Sequence, residues 1–325
     1  MRKAIAAKRH NGASASSSPK RERCALRPLA LAAVTALLLL GFASVAEATH
    51  RCGHKGRVCE PPPPPPTEPP PPTTGTLVWA DEFNGAADTL PSSTDWRFLG
   101  GGRWGNGQEL QCYTGARAAN VSHDGQGSLA IRTRYEPGYA CGDATNNYTS
   151  ARIDTGSHHR FGYGKIEARI KLPNAPDGGA PLGSWPAFWT LGADYRDGGF
   201  GGSASWPNTG EIDILEWLGR DPAYARVHLH GEPDADSDWG PGFNVPFDWT
   251  QWHTYAVDHQ PGRIDFLIDD QLVWSRTAAD APAGAWEFDK DQYVLLNVAV
   301  GGWGGTPDPS DYPTTMLVDY VRVYG

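Results

Sequence analysis

What the chain lacks narrows its class before any motif is considered. Helical periodicity is nearly absent after Thr76, which sets aside helical bundles and leaves strand-like runs separated by Gly, Pro, Asn and Asp clusters. No cysteines have the Cys-x2-Cys spacing of a thiolate zinc site, and no His-Glu-x-x-His helix marks a metalloprotease. The glycine-rich stretches Gly100 to Gly102 and Gly198 to Gly202 do not join a strand to a helix, so they read as loops at the rim of a cleft rather than phosphate cradles. Basic residues are also scarce: the formal charge is -9, and leaving out residues 1–48, with their eight Lys/Arg and two Glu, takes it to -15. Nucleic-acid binding draws its affinity from Lys and Arg clusters, so a nucleic-acid partner is not expected. One apolar run is long enough to approach a membrane span, from Leu29 to about Val45, and it is preceded by a basic stretch and followed by Ala46-Glu47-Ala48.

Residues 1–48 therefore read as an export signal with a long basic segment and an A-x-A-like cleavage site, and the mature chain is expected to start near Thr49 and to be secreted. An uncleaved membrane anchor is the alternative for the same run. Residues 49–75 follow as a short Cys-containing segment and a Pro-rich linker, in which Pro61 to Pro66 and Pro69 to Pro72 favour extended polyproline II. Four cysteines remain beyond the signal, an even number suited to disulfides in an exported chain. The proline barrier suggests pairing Cys52 with Cys59 and Cys112 with Cys141.

What is present points to a large turn-rich β domain over residues 76–325: the chain has 39 Gly, 28 Pro and 13 Trp in 325 residues. Strands are expected over Ser128 to Arg134, Gly164 to Leu172, Ala225 to His230, Thr254 to Asp258, Arg263 to Trp274, Tyr293 to Val300 and Met316 to Tyr324. In Gly164 to Leu172 the apolar residues Ile166, Ala168, Ile170 and Leu172 alternate with Lys165, Glu167, Arg169 and Lys171, giving one buried and one wet face. Many antiparallel strands in one domain imply a two-sheet antiparallel β-sandwich.

The chemistry-bearing stretch is Gly210 to Gly219, GEIDILEWLG. On a strand Glu211 and Asp213 share a face while Ile212 and Ile214 enter a core. Strict alternation puts Leu215 on the acid face and buries Glu216, unless one extra residue bulges after Asp213 and restores Glu216 to the row. With that bulge the outer carboxyls could approach to about 5–5.5 Å, the separation of a retaining glycosidase. An edge strand with an acidic solvent face is the alternative. Trp104, Trp185, Trp189, Trp206 and Trp303 adjoin loops and offer aromatic planes for sugar rings, although core packing accounts equally well for any single one. His228 and His230 share a face of the following strand, and with His253 or the His158-His159 pair they could instead ligate zinc.

The motif resembles the E-x-D-x-x-E signature of family 16 glycoside hydrolases, in the bulged, laminarinase-like branch. The similarity runs through Trp79-Ala80-Asp81-Glu82-Phe83, Trp104-Gly105-Asn106, Tyr148 to Ile153, Tyr163 to Arg169, Trp185-Pro186-Ala187-Phe188-Trp189, Asn297 to Gly302 and Val318 to Tyr324. The resemblance implies a concanavalin-like jelly roll whose concave sheet carries the cleft. It implies secreted endo-hydrolysis of β-1,3-glucan with retention, Glu211 as nucleophile, Glu216 as acid/base and Asp213 between them. By the same resemblance Asn106, Glu109 and Arg152 hold sugar hydroxyls on the non-reducing side, Asn297 and Trp303 line the nearer wall, and His230 sits beside the acid/base. No catalytic cofactor is implied. A structural calcium would use Gly127, Asp319 and Glu82. The partner is a polysaccharide, with no membrane after cleavage, and the protein is read as a monomer. Hydrolysis of another β-linked polysaccharide, and binding of glucan without catalysis, stay open as alternatives.

Overall fold

The structure is a computed structural model that describes residues 75–102, 107–232, 242–281 and 285–325. The export signal, the pairing of Cys52 with Cys59, the Pro-rich linker, Trp104 and Asn106 lie outside the described residues.

Strands make up the fold, and the described helix is limited to the 3-10 turns Gly302–Gly304 and Pro309–Asp311. One sheet runs in the order β4 (Val121–His123), β5 (Leu129–Cys141), β17 (Thr314–Tyr324), β8 (Gly164–Lys171), β13 (Trp252–Gln260), β14 (Arg263–Ile268) and β15 (Gln271–Thr277). Beside β5, β1 (Leu77–Asp81) pairs with the far end of β17. The second sheet runs β12 (Phe243–Pro246), β11 (Tyr224–His230), β10 (Glu211–Trp217), β9 (Ser184–Gly192), β16 (Gln292–Val300), β7 (Arg152–Asp154) and β2 (Arg97–Gly101). All these pairings are antiparallel. The sheets are linked through β3 (Gln111–Thr114) and β6 (Ala144–Ser150), which pair in parallel with each other.

Alternation builds the core between the sheets. Ile166, Ala168 and Ile170 of β8 pack in one cluster with Phe188 of β9, Ile212 and Ile214 of β10, and Leu296 and Val298 of β16, each essentially without exposure. Removing a side chain of this size from water contributes about 1.5–3 kcal/mol, so the inward residues dominate the stability of the sandwich. Their partners on the outer face of β8 are less wet than the alternation suggested. Glu167 is buried because Lys165 Nζ lies 2.6 Å from it and the Tyr324 hydroxyl donates to it at 3.1 Å.

Two local readings of the sequence are corrected. Arg263 to Trp274 is two strands, broken at Asp269 and Asp270, whose φ values of 50° and 61° turn the chain back as a two-residue hairpin. Gly100 and Gly101 finish β2, paired with Thr114 and Tyr113, rather than forming a free loop. Cys112 and Cys141 are bridged, with 5.8 Å between their Cα atoms, and the bond pins the β5–β6 hairpin to β3.

Candidate active site

The centre of the second sheet is β10, held by β9 on one side and β11 on the other. Its register slips once: Asp213 faces Trp189 of β9 and Leu215 faces the adjacent Phe188, so one residue of β10 is extra. The same slip appears against β11, where Asp213 faces His228 and Glu216 faces Arg226. The cause is legible in the apolar residues. Ile214 and Leu215 are consecutive and both belong to the core cluster, which a regular strand could not achieve. The bulge lets both enter the core and returns Glu216 to the face of Glu211 and Asp213.

Each outer acid accepts a hydrogen bond from an indole. Trp206 Nε1 donates to Glu211 Oε2 at 3.1 Å, and Trp185 Nε1 donates to Glu216 Oε1 at 2.9 Å. His230 lies opposite Glu211, with its Nε2 3.2 Å from Asp213 Oδ2 and 3.8 Å from Glu211 Oε1. Burial, and next to it the charge of Asp213, push the Glu211 carboxyl up to about 8. The same two causes, in the same order, hold Glu216 well above the ordinary carboxylate range. The two glutamates differ in a third influence: Arg152 favours the ionised form of Glu211, whereas Glu216 also feels repulsion from Glu211. Three acids sharing one row cannot all ionise cheaply, and this asymmetry leaves the proton on Glu216.

A second linked group lies on β7, β9 and β16. Trp189 Nε1 donates to Asn297 Oδ1 at 2.7 Å, and Asn297 Nδ2 donates to the Tyr113 hydroxyl at 3.1 Å. Arg152 covers the Trp189 ring, its Cζ 4.7 Å from the centroid. Glu109 accepts from Gln111 Nε2 at 2.6 Å, and burial raises its carboxyl. Glu109 also borders a cavity of about 780 Å³ whose far wall is Asp143, Asn146 and Tyr148 of the disulfide-pinned hairpin. At the other end, Trp303 packs edge-on against Trp185 with centroids 5.8 Å apart. Trp206 and Trp303 are 45% and 39% exposed, enough to offer a ring face to a sugar.

Of the residues expected from the sequence, the structure therefore gathers Glu211, Asp213, Glu216, Trp185, Trp206, His228, His230 and Trp303 around β10. It joins Glu109, Arg152, Trp189 and Asn297 beside them. Arg226, Gln111 and Tyr113 belong to the site without having been expected there. Arg226 faces Glu216 across β11, is buried, donates from Nη2 to Asp221 and has Cζ 5.7 Å from the Trp303 centroid. The alternation Arg226, His228, His230 could have signalled it.

The other metal readings fare differently. Glu82 accepts both its contacts from Arg322, at 2.8 and 2.9 Å, and Asp319 accepts from Arg169 Nη1 at 2.8 Å, so the two acids expected to hold calcium are satisfied by guanidinium groups. They do not form an open oxygen cradle with Gly127. The histidines considered as extra zinc ligands are also engaged elsewhere: His253 with Asp269 at 2.7 Å and the Asp248 carbonyl at 2.8 Å, His159 with Asp95 at 2.7 Å.

Comparison with known proteins agrees with this geometry. The beta-glucanase of Rhodothermus marinus is 38% identical over 260 residues, covering 76% of this chain and 84% of that protein. The glucan endo-1,3-beta-glucosidase of Cryptopygus antarcticus is 36% identical over 272 residues, covering 76% of this chain and 90% of its own length. The X-ray structure of the laminarinase from Rhodothermus marinus superposes with a TM-score of 0.66 at 34% identity, covering 77% of this chain and 97% of that one. The family model described as glycosyl hydrolases family 16 matches residues 106–322, and with the bulged acid strand at its centre the chain belongs to that family.

Proposed function

We propose that the protein is an exported, endo-acting hydrolase of β-1,3-linked glucans that works by double displacement with retention. The observation that carries this reading is the row Glu211, Asp213 and Glu216 on one face of the bulged β10, with indole donors on the outer two. In the first step Glu216 gives its proton to the glycosidic oxygen while a Glu211 carboxylate oxygen attacks the anomeric carbon. The bond to the leaving sugar breaks, and a glycosyl ester of Glu211 forms. The negative charge of Glu211 is then gone, so Glu216 ionises more easily and takes a proton from water. That water attacks the anomeric carbon and frees Glu211 as a carboxylate. Asp213 orients His230 and keeps the proton on Glu216 until it is needed.

Arg152, Trp189 and Asn297 form a linked wall beside the row, and Trp185, Trp206 and Trp303 supply planes for sugar rings. Asn106 and Glu109 are assigned to sugar hydroxyls on the non-reducing side. Export is supported by the basic and apolar leader with its A-x-A site, and by the Cys112–Cys141 bridge, a feature of oxidising compartments. Mass measurement of the protein recovered from the medium should give a chain starting near Thr49. A structural calcium at Gly127, Asp319 and Glu82 would need Arg169 and Arg322 to release their acids, and a chelator series read by Tm tests it.

The substrate is tested by reducing-sugar release from laminarin, lichenan, agarose, carrageenan and β-1,3-galactan, beside a pull-down on insoluble glucan. Release from laminarin is expected. Activity on a galactan with none on laminarin overturns the substrate, and binding without release assigns the protein to glucan recognition.

A further inference from the structure

His228 has no part in the two displacements, yet it is placed with care. It stands two residues from His230 on β11, so both imidazoles leave the same face, and their ring centroids are 4.2 Å apart. Register sets His228 opposite Asp213 and His230 opposite Glu211. A carboxylate oxygen of Asp213 and one ring nitrogen of each histidine lie within 4.8 Å of one another. Asp213 is almost wholly buried, whereas the two histidines are partly exposed, so the group has a fixed acidic base and an open mouth. Gly242 confines His228 from behind: a Cβ there would come 3.2 Å from His228 Cγ.

We propose that Asp213, His228 and His230 bind one divalent transition-metal ion of the zinc type, and that the ion blocks hydrolysis. Two imidazoles and a carboxylate suit zinc, copper or nickel, not calcium or magnesium, which prefer oxygen alone. Zinc with bonds of about 2.0–2.1 Å sets its ligands roughly 3.4 Å apart, so the three side chains need close by only about 1 Å. The histidines alternate on one strand, and the acid comes from the neighbouring strand of the same sheet, so no backbone rearrangement is required. The metal would occupy the Asp213 oxygen and the His230 nitrogen that face Glu211, where a sugar must sit for attack. Ion and substrate therefore exclude one another, and the ion is an inhibitor rather than a cofactor.

The test uses the full-length protein after chelator treatment and dialysis, with Zn2+ followed by calorimetry and Co2+ by visible absorption. The expected result is one binding event that weakens at least about 10-fold in His228→Gln and in Asp213→Asn but persists in His253→Gln. Far-UV circular dichroism of each variant, and His228→Ala as a second replacement, guard against a change of fold. With laminarin as substrate, Zn2+ should raise KM and leave kcat unchanged. Isotherms that His228→Gln leaves unaltered, or no binding at zinc up to about 1 mM, overturn the site. Binding that lowers kcat without touching KM overturns the exclusion. The metal titration needs no substrate, so it stands whatever the enzyme proves to hydrolyse.

Discussion

The two sheets treat their carboxylates in opposite ways. On the outer faces of the first sheet, acids meet cations: Glu167 with Lys165 at 2.6 Å, Asp265 with Arg263 at 2.7 Å, Asp319 with Arg169 at 2.8 Å. Glu82 beside β1 and Glu136 on β5 follow the same rule, with Arg322 and Arg117, and those partners lower both carboxyls, Glu136 to about 2. On β10 the outer acids accept from indoles, and burial beside Asp213 raises both. An indole fixes the direction of a carboxyl without stabilising its charge as a guanidinium would. A glutamate on a strand thus becomes structural or reactive according to whether its hydrogen-bond donor also neutralises it.

Substitution of the acids should break the two sheets apart most sharply. Glu211→Ala is expected to lower kcat on laminarin by at least about 10⁴-fold, because the covalent route is lost. Asp265→Asn, on the first sheet, should leave kcat within about twofold. Glu216→Ala should keep some turnover of an activated aryl glycoside, whose leaving group needs little protonation, and added azide should speed it and give a β-configured product. With Glu211→Ala azide should give only the α-configured product by direct attack. The opposite pattern of azide products would exchange the two assignments.

Reduction of the Cys112–Cys141 bridge should cost roughly 2–4 kcal/mol, read as a lower Tm under thiol. Both cysteines found free by mass spectrometry in the native protein would contradict it.

Stability against pH should carry opposite signs in the two regions. Glu211 holds its proton to about 8 when folded and only to its ordinary value of 4.5 when unfolded, so between those values the folded form binds more protons and stability falls as pH rises. Glu211→Gln should therefore raise Tm by a few degrees at pH 7, about 1–3 kcal/mol, with the gain gone near pH 4. Glu136 behaves inversely: its folded carboxyl stays ionised down to about 2 against 4.5, so its contribution is present above 4.5 and is lost as pH falls through 2. Glu136→Gln should lower Tm at pH 7, by about 1 kcal/mol given its partial exposure, and the deficit should close toward pH 2. Equal pH profiles for the two variants would remove the contrast.

Arg152→Gln should have the smallest effect. Without that cation Glu211 ionises less readily, so the acid limb of kcat/KM should move up by roughly half to one pH unit. A limb that stays in place would deny Arg152 any influence on Glu211.

Much of this is legible in the chain because it rests on local periodicity. The bulge is forced by Ile214 and Leu215, two adjacent apolar residues before an acid, and the sequence alone predicts it. The buried stripe of β8 follows from its alternation. Arg226, Gln111 and Tyr113 escape such a reading because they reach the cleft through strand register, which no local pattern specifies. The hairpin at Asp269 and Asp270 is hidden because the apolar residues on either side of it read as one run, although two consecutive aspartates favour a left-handed turn. The acids Glu82 and Asp319 look free because Arg322 and Arg169 lie far from them in sequence and meet them only in the folded sheet.

The account stands most directly on the anomer released first. Proton NMR of laminarin hydrolysis, followed from the earliest minutes and before mutarotation, should show the β-anomeric signal growing ahead of the α. Initial appearance of the α-anomer would mean that water attacks directly, and that Glu211 is not the nucleophile.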